Sequence, residues 1–139
     1  RFSEKQLRPL PLVIALQAIF ALPAYAQFTV ATGTNDTAAK TLTAATATVQ
    51  QGASLIVSTP NTNAAITVNA GTSVINNYGT ISQATGVGID ANAAATNITI
   101  NNYIGGVINA VGDVAIRVGK ATDSFIINNQ GLSLIHISE

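Results

Sequence analysis

Apolar and polar residues alternate with period two along much of this chain. In residues 85–91, Val87, Ile89 and Ala91 alternate with small or polar neighbours. In residues 114–118 apolar positions alternate with Ala115 and Arg117, and in residues 97–101 Ile98 and Ile100 alternate strictly with Asn and Thr. Alternation puts one set of side chains on one face of a strand. The enrichment in Val, Ile and Thr agrees. Each run is short and bounded by Gly or Asn, which tolerate left-handed turns. The pattern therefore predicts short strands joined by tight turns. Residues 37–51, rich in Ala and Thr, are ambiguous. A helix is open there, but the Thr content and the following Gly52 favour extended structure or a loosely ordered start.

The strands repeat. Ile75-Asn76-Asn77-Tyr78 recurs as Ile100-Asn101-Asn102-Tyr103 and again as Ile127-Asn128-Asn129-Gln130, at spacings of 25 and 27. After the first copy comes Gly79-Thr80-Ile81, and after the second Gly105-Gly106-Val107-Ile108, so the two-residue difference sits in that turn. Beyond it, Val87 aligns with Val114, Ile89 with Ile116, Ala94 with Ala121 and Ile98 with Phe125. Val49-Gln50-Gln51-Gly52 and Val68-Asn69-Ala70-Gly71 read as weaker, earlier copies.

A repeat of this length holding several short strands reads as one coil of a β-solenoid, each coil pairing with the next at about 4.8 Å. Ile and Val then stack inward from coil to coil. Asn77, Asn102 and Asn129 are expected to stack their side-chain amides into a ladder at one corner. Tyr78 and Tyr103 are expected side by side there, either as a platform for carbohydrate or, favoured, as coil-to-coil packing. Leucine-rich repeats do not fit, because between residues 27 and 131 the leucines are Leu42 and Leu55. Helical repeats lack their helix-period stripes.

Composition narrows the function. Of 139 residues, 47% are hydrophobic and 9% charged, with zero formal net charge. With no basic excess to neutralise phosphates, nucleic acid is not an expected partner. The absence of cysteine excludes disulfides and thiolate metal sites.

The two ends read differently from the repeats. Arg1, Lys5 and Arg8 precede an apolar stretch over residues 10–22, Pro23 ends it, and Ala24-Tyr25-Ala26 supplies a small-x-small cleavage pattern before Gln27. That is an export signal over residues 1–26, entering the membrane as a short helix. A spanning anchor needs about 20 apolar residues, and this run is shorter. Residues 132–139, Leu-Ser-Leu-Ile-His-Ile-Ser-Glu, match the in-frame translation of a transposase adapter used in sequencing libraries. The alternative is a genuine strand-like end. His136, the chain's one histidine, falls there. The expected organisation is a signal at 1–26, a Thr/Ala-rich segment at 27–48 and repeats at 49–131.

No catalytic pattern stands out. There is no G-x-S-x-G and no H-E-x-x-H. Gly119-Lys120 is followed by Ala121 rather than Ser or Thr, so it is no phosphate loop. Asp90 aligns with Arg117, which suggests a coil-to-coil ion pair. Asp90, Asp113 and Asp123 single out no carboxylate pair for hydrolysis. No cofactor or catalytic residue is expected.

A signal followed by a Thr/Ala/Gly-rich stretch and Ile-Asn-Asn-x-Gly-Thr-Ile repeats resembles the start of an autotransporter passenger domain of Gram-negative bacteria. Residues 75–81 carry the resemblance, with the copy at 100–108 and the third opening at 127–131. The resemblance implies an all-β, right-handed parallel β-helix that leaves through the Sec machinery. A C-terminal translocator β-barrel, expected beyond this piece of chain, would carry it to the cell surface or release it. Family members act as adhesins, aggregation factors, proteases or esterases, and none of the enzymatic motifs occurs here. The implied role is structural or adhesive, by contact with a host surface or by self-association. The alternative is the stalk of a secreted enzyme whose catalytic residues lie downstream. Expressed in a Gram-negative host, the chain should begin at Gln27 after export. Ala26→Glu, which puts a large charged side chain in the cleavage site, should leave the longer precursor, a difference that N-terminal sequencing reads.

Overall fold

The computed structural model describes residues 26–60, 64–91, 95–119, 123–133 and 137–138, with side chains described only within 27–131. The expected signal helix, with Ala24, lies outside these residues, as does the match of Ala94 with Ala121. The described residues contain strands and no helix, and the strands pair in parallel as a β-solenoid of about 3 turns with partial rungs at each end.

The chain fills one rung after another. β1 (Ala26–Val30), β2 (Asn35–Asp36) and β3 (Lys40–Thr43) make a short first rung. β4 (Thr46–Val49), β5 (Ser54–Val57) and the first half of β6 (Ala64–Asn77) make the second. The second half of β6, β7 (Thr80–Gln83) and β8 (Val87–Ala91) make the third. β9 (Ala95–Asn102), β10 (Val107–Ala110) and β11 (Ile116–Val118) make the fourth. β12 (Ser124–Asn129), β13 (Leu132–Ser133) and β14 (Ile137–Ser138) follow. Three faces result. The first is built from β1, β4, the end of β6, β9 and β12. The second is β2, β5, β7, β10 and β13. The third is β3, the start of β6, β8, β11 and β14.

Parallel register makes the core. A residue pointing inward lies over its counterpart one coil earlier, so apolar side chains form columns. Ala47, Ile75, Ile100 and Ile127 stack on the first face. Leu55, Ile81 and Ile108 stack on the second, and Ile66, Ile89 and Ile116 on the third. Nearly all are fully buried, in one continuous cluster. The expected pairs Ile81–Ile108, Ile89–Ile116 and Ile98–Phe125 are direct ladder partners. Val87 and Val114 share a small buried cluster with Ala64.

The structure corrects the reading of the early copies. Val49 pairs with Val30 and Asn77 on the first face, whereas Val68 lies on the third, beside Leu42 and Ala91. The first coil runs from Val30 to Val49. The parallel ladder also begins upstream of residue 49, at Ala26. Inward positions there include small Ala47 beside Val30 and Leu42, so the alternation carries less apolar contrast than Ile and Val give later. At the other end, Leu132–Ser133 pairs with Val107–Ile108, and Ile137–Ser138 with Ile116–Arg117.

The two-residue difference between copies is a turn. The Gly106 amide donates to the Tyr103 carbonyl at 2.8 Å across Ile104 and Gly105. Gly105 has φ +85°, the left-handed value a type II turn needs at its third position. The same turn closes at Gln50–Ala53 (3.0 Å) and Ala31–Thr34 (2.9 Å). After Tyr78 it is absent, and Gly79 leads straight into β7. Ile104, at the tip of the longer turn, is 80% exposed.

Ile100→Ala should lower the unfolding free energy by about 2–5 kcal/mol, the usual cost of emptying an apolar site in a packed core. Ile104→Ala, on an exposed turn, should stay within about 0.5 kcal/mol. Chemical denaturation separates the two, and equal effects would contradict the inward and outward assignment.

Candidate functional site

The corner between the first and second faces gathers the residues that the repeat singles out. Ile75, Ile100 and Ile127 point inward and anchor the strand ends. Adjacent residues in a strand point to opposite faces. The Asn-Asn doublets therefore place one amide outside and one inside.

The inner amides form the expected ladder. Asn77 Nδ2 donates to Asn102 Oδ1 at 2.8 Å, and Asn102 Nδ2 donates to Asn129 Oδ1 at 2.9 Å. Asn77 and Asn102 are buried. The turn backbone fixes which end of each amide points where. Asn77 Oδ1 accepts the Gly79 amide at 3.3 Å, and Asn77 Nδ2 also donates to the Val107 carbonyl at 3.0 Å. Asn102 Nδ2 also donates to the Gly106 carbonyl at 3.2 Å. Both amide protons of each side chain are thus used, which is what burial of such a group requires. Gly106 is obligatory here for space. A Cβ on it would fall on Asn102 Oδ1 and within 2.6 Å of the Asn77 carbonyl oxygen. Gly79 is equally confined, by the Ala53 and Gln50 carbonyls.

The outer amides form a second ladder that the sequence reading did not place. Asn101 Nδ2 donates to Asn76 Oδ1 at 2.9 Å, and Asn128 Nδ2 donates to Asn101 Oδ1 at 2.8 Å. It runs the opposite way: inner amides donate towards the later coil, outer amides towards the earlier one. The doublet was the signal, because whatever one Asn does inside, its neighbour must repeat outside. Below Asn76 this outer column continues as Thr48 and Thr29, and below Asn77 the inner column continues as Val49 and Val30. The ladders thus start at the third coil.

Tyr78 and Tyr103 stack beside the ladders with ring centroids 4.2 Å apart and planes within 1°. A hydrogen bond with Tyr103, and secondarily desolvation, raises the Tyr78 hydroxyl above the ordinary phenol pKa. Each ring covers one face of the other, one coil apart. This is the coil-to-coil packing the sequence favoured.

The expected ion pair is present on the third face. Arg117 Nε and Nη2 bind Asp90 Oδ1 and Oδ2 at 3.1 and 2.8 Å, a fork-to-fork geometry. Arg117 Nη1 also approaches Asp113 Oδ2 at 3.8 Å. The Asp90 hydrogen bond holds the guanidinium pKa above its ordinary value. Asp36 pairs with Lys40 at 2.7 Å, and that bond holds its carboxyl below the usual carboxylate range. Asp90 and Asp36 are thus each paired with a cation. Of the residues expected at the cleavage site, Ala26 opens β1, and the side-chain carbonyl of Gln27 accepts the Thr43 amide at 2.6 Å.

Compared with protein-family models, curated proteins and solved structures, the chain finds no match.

Asn102→Ala removes a buried donor and acceptor together and leaves Asn77 short of a partner, so it should cost about 1–3 kcal/mol. Asn101→Ala, in the half-exposed ladder where water replaces the lost bonds, should cost about 0.5 kcal/mol or less. Urea titration of both variants checks the order, and the reverse order would refute the inner and outer assignment.

Proposed function

We propose that this solenoid is the structural, adhesive part of an exported surface protein, a passenger of the autotransporter kind. In this reading Sec delivers it through the signal at residues 1–26, and a translocator β-barrel carries it outward. The observation that supports contact rather than turnover is the first face. Its outward columns are Thr46, Val74, Thr99 and Ile126 beside Thr48, Asn76, Asn101 and Asn128. None is charged. A neutral, ordered array of amides, hydroxyls and short apolar groups suits multivalent contact with another surface, where many weak contacts add. Export through two membranes as an unfolded chain also suits a coil-by-coil fold without cysteine, because each coil templates the next.

Beads coated with the folded full chain should be retained on epithelial cells, or clump with one another, severalfold more than beads coated with heat-denatured chain. Equal behaviour of the two in both assays would overturn the adhesive reading.

A further inference from the structure

We propose that Tyr78 and Tyr103 form an oxidative cross-linking site, at which a peroxide-driven one-electron oxidant joins the two rings into dityrosine and staples adjacent coils. Three observations carry this. The first is proximity that the backbone enforces. The Tyr103 amide donates to the Asn77 carbonyl at 2.9 Å, and the buried Asn77–Asn102 bond sits one residue before each ring. The two side chains leave the same corner one coil apart, with centroids at 4.2 Å. The second is access, since Tyr78 is 38% exposed and Tyr103 is half-buried. The third is lack of competition. The chain has no cysteine, methionine or tryptophan, the side chains that an oxidant otherwise attacks first, and it has 3 tyrosines, of which these are two.

The chemistry balances with hydrogen peroxide and a haem peroxidase as the oxidising system. Each phenol gives up one electron and its hydroxyl proton to become a phenoxyl radical, whose unpaired electron is shared with the two ring carbons beside the oxygen. One such Cε of Tyr78 bonds to one Cε of Tyr103. Each of those carbons then passes its hydrogen to its own oxygen, restoring two phenols. The peroxide takes up the two electrons and two protons and leaves as two waters. Starting from a stack, the rings must turn from face-on to edge-on, and the exposed side of Tyr78 leaves room for that swing. The product is a bridge between coils that no reductant opens, in a chain without disulfides.

The test treats the folded full chain with hydrogen peroxide and a haem peroxidase. The expected product is a monomer lighter by two hydrogen atoms, with the blue emission of a biphenol and a peptide map linking Tyr78 to Tyr103. Its yield should not change on dilution, and its denaturation midpoint should rise. Tyr103→Phe keeps the ring and its stacking but should abolish the intramolecular link. Tyr25→Phe, outside the pair, should keep it. Links only between chains, no loss of hydrogen, or a link that survives in Tyr103→Phe would overturn the proposal.

Discussion

Among the described residues, the parallel pairing between coils places strand residues over their counterparts at the strand spacing of about 4.8 Å. That constraint shapes everything else. A coil cannot choose its side chains freely, because each sits in van der Waals contact with the one below. Apolar residues satisfy this on the inside by stacking as columns of Ile, Val and Ala. Polar residues satisfy it only if like can bond to like. The amide group, with a donor at one end and an acceptor at the other, is suited to that repetition.

The same rule explains the other matched pairs. Tyr over Tyr gives a stack, since two parallel rings at coil spacing lie near their contact distance. Asp under Arg gives a two-pronged ion pair where like charges would repel. Val49 lies under Asn77 where the column changes character, and the change is tolerated because Asn77 directs its polar atoms upward and into the turn. The two ladders, running in opposite directions on either side of one strand, also offset each other's dipoles along the axis.

The repeat was legible because stacking rewards identical residues at identical positions. Ile-Asn-Asn at 75, 100 and 127 announced the corner, the inner ladder and the tyrosine stack. The aligned Asp90 and Arg117 announced the ion pair. Residues 26–48 were less legible, because their inward positions include small Ala47 and half-buried Phe28 and their outward ones are Thr. β6 was not legible as one strand of 14 residues, because Asn69-Ala70-Gly71 carries a turn's composition. Gly71 does take a left-handed φ of +66°, but it bends the chain between two faces while pairing continues on both sides. Gln83, fully buried between Val57 and Ala110, gave no sign of burial, since a single Gln carries no periodic signal.

Buried amides bridge the coils in register. Hydrogen exchange of the asparagine side-chain amides, followed by nuclear magnetic resonance on the folded chain, tests it directly. The Nδ2 protons of Asn77 and Asn102 should exchange far more slowly than those of exposed Asn97. Uniformly fast exchange at all three would contradict the ladder and the stacking it reports.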